Sequence, residues 1–504
     1  MQRKIGVLVG SPKGSVHLHR MIESLREQAD VTVLLDTRKR DIPGWLFRLS
    51  RWREAFVMQL FFRSIKDYFK RTNLGAISID NGVTFDLIVD TIPAPLIDSL
   101  PAPKATDGIL DIVYGDSESG RSGPPGFWEC HSGSGATGLF GYLNDVCVFS
   151  ARYKSKRLST LNAVSIVREG MSDLGQVLNR YAKNGSLKPL VAPSLSWEKP
   201  EFGHFLSYVG SFFKRECKEA FRSLRGLKQR FAVATFSGSW NEASASTANL
   251  IPNLKDAYFA DPFIVERDDQ TICFVEEYSY LDHKGRISAI DISNVDMSGG
   301  QSTYLGRVIE EDFHMSFPFP FEHDGQLYMI PEMSESAEIP LYQCTEFPVG
   351  WTRVGTLMKN VEAADSMVFK SGDTWWMATN IRPEGCEDIF SRLYLFHSDS
   401  PTSSNWTPHA QNPVLIDSDG GRNAGLIKDE DGVLYRVGQH QGISTYGSSC
   451  SVFRIEDLSP TSYRETKMRW SLPKLSEQQI GGHHVHCENG ITAFDILLLE
   501  RTSA

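Results

Sequence analysis

The sequence predicts two domains, an N-terminal α/β domain with a parallel sheet followed by an all-β five-bladed β-propeller. Two observations lead there. Strand and helix signals alternate through residues 1 to about 190, and one strand–turn–strand unit then recurs five times. The units run from Ala260-Asp261-Pro262-Phe263 to Phe274-Val275-Glu276-Glu277, from Ser316-Phe317-Pro318-Phe319 to Tyr328-Met329-Ile330-Pro331-Glu332, and from Ala364-Asp365-Ser366-Met367 to Trp375-Trp376-Met377. The last two run from Arg422-Asn423-Ala424-Gly425 to Leu434-Tyr435-Arg436-Val437 and from Gly482-His483-His484-Val485 to Ile491-Thr492-Ala493-Phe494. Their turns are Asp268-Asp269, Asp324-Gly325, Gly372-Asp373, Asp431-Gly432 and Asn489-Gly490, pairs that supply the positive φ of a two-residue hairpin. A repeat of about 50 to 60 residues leaves room for two further strands per unit, so five units imply five blades.

The innermost strand of each blade lines a central funnel, so the residue opening each repeat is placed where chemistry occurs. Aligned on their turns, the openers are Asp261, Phe317, Asp365, Asn423 with Arg422 beside it, and His483. A single aspartate at a strand start often does no more than cap a loop. Two carboxylates, an arginine and a histidine in one funnel point to a site.

In the first domain, the strand Lys4 to Val9 leads through Gly10-Ser11-Pro12-Lys13-Gly14 into a helix, His17 to Gln28, and a second strand, Val31 to Leu35. Phe85 to Asp90 and Gly108 to Gly115 read as buried strands. The Gly10/Gly14 turn lacks both the Lys-Ser/Thr of a P-loop and the third glycine of a dinucleotide fingerprint. Phe205 to Arg230 is a basic amphipathic helix candidate, read as a connector (191–230) packing its apolar stripe on a neighbouring domain or as a peripheral membrane contact. The polar run Ser237 to Thr247 leads into the propeller (231–504).

A net charge of −10 and a pI near 5.8 argue against nucleic acid as a partner. Eight singly scattered cysteines signal neither a zinc site nor a disulfide framework and fit a reducing compartment. The apolar run at the N-terminus is too short for a signal peptide, and no segment reaches a membrane span, so the expectation is a cytoplasmic protein, at most at the inner face of a membrane. His484 and His486 share a strand face, but no carboxylate pair is spaced to complete a metal site, and none is expected.

Arg121-Ser122-Gly123-Pro124-Pro125-Gly126-Phe127-Trp128-Glu129, followed by Ala136-Thr137-Gly138 and Asn144-Asp145, resembles the active-site region of the methionyl-tRNA and sugar-amine formyltransferases. The resemblance covers most of residues 1 to 185 and implies a Rossmann-type parallel sheet, with Arg121, Trp128 and Asp145 as remnants of the site. The family's Asn-x-His before the arginine is missing, and His131 lies after the motif. That histidine would stabilise the tetrahedral intermediate of formyl transfer, so its absence puts that chemistry in doubt. A folate formyl donor is implied only if this domain is active, and no other cofactor is expected.

Asp261-Pro262-Phe263, His314 to Phe319, Tyr328 to Glu332, Leu341-Tyr342, Asn412-Pro413-Val414, Arg422 to Gly425, Arg436, Gln439 and Tyr446-Gly447 resemble the N-terminal domain of plant glucosamine inositolphosphorylceramide transferases and bacterial relatives. That domain is in turn similar to the five-bladed propeller glycoside hydrolases of the arabinanase and xylosidase type. The resemblance implies Asp261 as base and Asp365 as the carboxylate that tunes it. The hydrolases' fourth-blade glutamate is absent, with Arg422-Asn423 in its place.

An arginine cannot supply the proton that inverting hydrolysis needs at the leaving oxygen, but it can hold a phosphate. One reading is therefore an enzyme of surface-glycan or glycolipid assembly, with Asp261, Asp365 and Glu332 as catalytic candidates and Arg422, Asn423, His314, His483, Gln439 and Tyr446 on a sugar carrying a phosphate or nucleotide. Glu276, Glu277 and Glu332 end second strands and leave hydrolysis open. The other reading is a glycan-binding module in which both domains have lost catalysis. Trp375, Trp376 and Tyr446 are candidates for stacking on sugar rings.

Overall fold

The computed structural model describes residues 2–61, 70–79, 83–97, 103–191, 193–242, 248–294 and 301–501, and the chain divides into two compact units, Met1–Lys218 and Glu219–Ala504. The end of the polar run, residues 243–247, lies outside the described residues.

In the first unit the strands Lys104–Asp116, Thr84–Asp90, Lys4–Val9, Asp30–Leu35 and Ile77–Ser78 lie side by side in that order, all parallel. Ala136–Leu143 and Val146–Lys154 extend the sheet antiparallel beyond Lys104–Asp116. The near-continuous apolar runs of Lys4–Val9 and Thr84–Asp90 follow from burial on both faces of a parallel sheet. Among the described residues four long helices accompany it, besides the short Trp128–Ser132: α1 (Val16–Arg26), α2 (Trp45–Phe61), α3 (Ser159–Asn184) and α4 (Phe202–Leu224). In α4, Phe205, Tyr208, Val209 and Phe212 pack on Phe47, Phe127, Trp128 and Cys130.

The second unit is a propeller of five sheets. The first four blades span 257–309, 316–359, 363–408 and 419–467. Three expected turns form with both residues at positive φ, Asp268-Asp269, Asp324-Gly325 and Asn489-Gly490. At Gly372-Asp373 only the glycine is, and Asp431-Gly432 falls in a longer connection, 429–433, between the paired Lys428 and Leu434 rather than in a two-residue turn. The fifth blade is composite: its outer part is Leu227–Ser237, which pairs antiparallel with Ile491–Arg501 over the whole of its length. Thus a strand from before the first blade closes the ring and leaves no seam between first and last blades.

Each repeat opens on a local distortion. The strand register slips between Ala260 and Phe263, Ser316 and Phe319, and Ala364 and Met367. At the slip, Asp261, Phe317 and Asp365 adopt φ of 49°, 47° and 46°. Such bulges turn a side chain out of the regular pleat, and for a non-glycine residue the left-handed conformation costs on the order of 1 kcal/mol, so surrounding contacts must hold it. Among the described residues no helix is long and apolar enough to cross a membrane.

Because ring closure rests on the Leu227–Ser237 pairing, Ile496→Ala, which empties a fully buried position in the paired strand, is expected to lower propeller stability by about 2–5 kcal/mol. Lys228→Ala, on an exposed position of the partner strand, is expected to stay within about 0.5 kcal/mol. Chemical denaturation of both variants measures the difference.

Candidate functional site

The three bulges aim Asp261, Phe317 and Asp365 toward the propeller axis, and the second strands supply a further ring. Glu276 lies opposite Ala260, Glu332 opposite Ser316 and Asn380 opposite Ala364, the same register in three successive blades. Gln439 and Asp495 come from the second strands of blades four and five.

Asp365 is gripped from blade four. Arg422 Nε donates to its Oδ2 at 2.5 Å and Nη2 to its Oδ1 at 3.3 Å, while Gln439 Nε2 donates to Oδ2 at 3.1 Å. Arg422 Nη2 also donates to Glu332 Oε2 at 3.1 Å. The guanidinium lies over the rings of Phe390 and Tyr446, 5.3 and 5.7 Å from their centroids. Asn423 is fully buried and donates through Nδ2 to the carbonyls of Asp365 and Ala378, while its N–H is held by Asn380 Oδ1. Arg422, Asn423 and Gln439, expected on the substrate, thus fasten blade four to blades two and three.

Around Asp261 the arrangement is different. Its Oδ2 accepts the Phe317 N–H at 3.2 Å, and its own N–H donates to Asp495 Oδ2 at 3.3 Å. Asp495 Oδ1 accepts the N–H groups of His483 and His484 at 2.7 and 3.1 Å. His483 Nδ1 stands 2.7 Å from Asp495 Oδ2 on a bent approach, an ion pair rather than an aligned hydrogen bond. Asp261 Oδ1 is buried with no hydrogen-bond donor, its nearest neighbours being His483 Nε2 at 3.5 Å and His484 Nδ1 at 3.7 Å. This oxygen is the site's one aspartate acceptor left open.

Ligand atoms of Asp261, His483 and Asp495 lie within 4.8 Å of one another, a grouping that could hold a metal ion and that sequence spacing did not anticipate. Asp495, however, is already filled by three backbone N–H groups and the His483 ring, which a metal would have to displace. His484, wedged between Phe263 and Phe317, and His486, whose Nδ1 accepts the Ile264 N–H, lie outside that group. Burial pushes both below the ordinary imidazole range, His486 to about 4.

The other groups are tuned by the same burial. Asp261 is pushed up to about 7 by burial, against the pull of His483. Asp365 is pushed up to about 8 by burial, with Arg422 opposing and the neighbouring Glu332 charge adding. Burial holds Glu276 well above the usual carboxyl range, with Asp261 and Glu332 adding to it, so it is a neutral acid. Burial would lower His483, but Asp495 overrides it and, with Asp261 and Asp365, raises the imidazole to about 9.

Glu276 meets His314 at the margin of the site, Oε1 to Nε2 at 3.3 Å, and the His314 Nδ1 accepts the Gly285 N–H. A Cβ at Gly285 would fall 2.7 Å from that Glu276 oxygen, so the approach requires glycine. Glu277 points to the opposite face and is saturated by Ser288, Tyr304 and Arg307, a structural bridge within blade one. Trp376 is core, and Trp375 packs on Phe321 and His323 rather than at the axis. Asp495, Phe390 and Asn380 were not singled out from sequence. For Asn380 a signal existed: Glu276, Glu332 and Asn380 each follow their bulge residue by fifteen positions.

The first unit does not assemble the expected remnant site. Trp128 is buried and Arg121 stacks over it at 4.9 Å while pairing with Glu198. Asp145 sits exposed in the turn after Leu143, which pairs with Leu110, whereas Arg121 pairs with Asp116. Six residues of strand, roughly 20 Å, separate those two pairings. His131 packs on Trp128 and His204. A cavity of about 320 Å³ at the carboxyl ends of the parallel strands is lined in part by Arg40, Asp90, Asp111, Tyr114 and Trp197.

Residues 240–488 match the family described as glucosamine inositolphosphorylceramide transferase 1, N-terminal. The matched residues lie within the propeller unit. The chain is 32% identical over 255 residues to the glucosamine inositolphosphorylceramide transferase 1 of Arabidopsis thaliana, covering 50% of this chain and 32% of the relative. It is 32% identical over 222 residues to the protein of that name from Oryza sativa subsp. japonica, covering 44% and 29%. The chain thus spans about a third of the length of these curated relatives. Among solved structures, an α-L-arabinofuranosidase from Podospora anserina in complex with cellotriose is similar at 9% identity and a TM-score of 0.36, over 55% of this chain and 99% of that one.

Two outcomes are expected. Arg422→Met leaves Asp365 and Glu332 buried without their cation and should cost about 3–5 kcal/mol at neutral pH. The deficit should shrink toward pH 5, where Asp365 is fully protonated, as denaturation at the two pH values would show. His483, raised from 6.5 to about 9, stabilises the fold fully below pH 6.5 and ceases to do so as pH rises through 9. Stability should therefore fall across that window, and His483→Gln should flatten the fall.

Proposed function

We propose that the propeller is a carbohydrate-active domain of surface-glycan or glycolipid assembly, and that its funnel takes a neutral, hydroxyl-bearing glycosyl unit. The observation that carries this reading is the pairing, on one blade, of an aspartate with an open acceptor oxygen and a pKa near neutrality with a glutamate held in its acid form. The match of residues 240–488 to a family named for a glycolipid glycosyltransferase supports it. A base poised near the working pH is the form general-base catalysis favours. Asp261 would take the proton of an attacking hydroxyl while Glu276 gives one to the departing glycosidic oxygen, with Asp365 setting the charge of the site.

A phosphorylated or nucleotide-linked sugar is the other substrate reading. It would require Arg422 and His483 to bind an anion while the donors of each are already engaged by fixed carboxyl groups, which favours the neutral ligand.

Calorimetry with neutral oligosaccharides, sugar phosphates and nucleotide sugars tests both. Neutral glycans are expected to bind the wild type, and Asp261→Asn to bind them within a few-fold while losing about 10²–10⁴ in turnover. Binding restricted to phosphorylated sugars and lost in Arg422→Lys would overturn the neutral-ligand reading. Binding without turnover in the wild type would leave a glycan-binding module, and no binding by any class would remove the carbohydrate reading.

A further inference from the structure

Helix α2 is amphipathic in the reverse sense to a helix on the surface of a soluble domain. Toward the protein it presents Phe47, Arg51, Glu54 and Met58. Phe47 and Met58 are buried, and Glu54 accepts from Ser159 Oγ at 2.8 Å, Tyr208 OH at 3.0 Å and the Thr160 N–H at 3.3 Å. Arg51 donates to the Ser159 carbonyl at 3.3 Å. Arg51 and Glu54 therefore help anchor the helix beside Phe47 and Met58, while other large apolar side chains face away. Trp45, Leu49, Trp52 and Phe56, spaced to fall on one stripe, are 65, 36, 61 and 49% exposed, and the last two rings stack at 5.6 Å. Aromatic exposure on this scale marks an interaction surface.

The charges on either side identify the partner. Arg48 and Arg53 flank the stripe, both exposed, and neither forms an ion pair among the described residues. From Arg38 to Arg71 the sequence carries ten Lys and Arg against three Asp and Glu, within a chain whose net charge is −10. Tryptophans on the apolar face with arginines at its margins suit a helix lying in the headgroup region, rings among the acyl chains and guanidinium groups on phosphates.

We propose that α2 docks this protein on an anionic bilayer surface by inserting Trp45, Leu49, Trp52 and Phe56, with Arg48 and Arg53 on lipid phosphates. This contact differs from the one expected on residues 205–230, where Phe205, Tyr208 and Phe212 turn inward. It is independent of what the propeller binds.

Co-sedimentation of the full chain with phosphatidylcholine vesicles, with and without phosphatidylglycerol, tests it. Binding is expected only with the anionic lipid and should weaken as salt is raised. Partitioning should fall roughly tenfold or more in Trp52→Ser/Phe56→Ser, with an unchanged Tm, and Arg48→Gln/Arg53→Gln should reduce the salt dependence. Should the first variant misfold, quenching of tryptophan emission in the unaltered chain by acyl-brominated lipid serves in its place, and its absence would overturn the proposal. The proposal also fails if the wild type ignores anionic vesicles, if it binds zwitterionic ones equally, or if Phe213→Ser abolishes binding while the α2 variant binds normally. A concentration-dependent dimer that the α2 variant abolishes, without vesicle binding, would assign the stripe to a second copy of the chain instead.

Discussion

Around the propeller axis, a buried carboxylate of one blade accepts the backbone N–H of the bulge that opens the next. Asp495 takes the N–H of Asp261, and Asp261 takes that of Phe317. Between blades three and four the link is made by side chains, Arg422 and Gln439 on Asp365. The left-handed backbone at these openers is unfavourable in isolation and persists because each bulge directs a polar group into a partner that has no water to fall back on. The same bonds that fix the blades against one another therefore fix the chemical groups at the centre, so the rigidity of the site and the integrity of the ring have one origin.

This double duty governs the electrostatics. Five carboxyls converge on the axis with only Arg422 and His483 to balance them. The site approaches neutrality by retaining protons, on Glu276 and Asp365, rather than by importing cations. An arginine that looks from sequence like a phosphate ligand is, in the fold, the counter-ion of two fixed acids. What the site leaves uncommitted is the buried Asp261 acceptor, on the same blade as the neutral acid Glu276.

The propeller was legible because its cues are local. Two-residue turns with Asn, Asp and Gly, and charged residues opening apolar strands, are read from a few adjacent positions, and all five blades formed where the turns placed them. The partners of those openers were not legible, since they lie across blades: Arg422 meets Asp365 and Glu332 from 57 and 90 positions away. The interval of Asp495 from its opener departs from the fifteen residues kept by Glu276, Glu332 and Asn380, so even that regularity would not have found it. In the first unit, the formyltransferase resemblance implied Arg121, Trp128 and Asp145 as remnants of one site, but the strand register carries Asp145 away from Arg121. Sequence also gave no warning that Glu54 turns inward while Trp52 turns out, because the helix period marks two faces without saying which is covered.

The composite fifth blade has a consequence for biosynthesis. Leu227–Ser237 is made before any complete blade, yet its partner, Ile491–Arg501, follows about 250 residues later. During synthesis at about 5–20 residues per second, that first strand must wait many seconds with an unsatisfied edge while the intervening blades emerge. Such an edge is open to pairing with a neighbouring nascent chain. The ring is thus sealed only after translation has passed its last strand, and chaperone protection of that single early strand would matter more to the yield of folded protein than protection of any later blade.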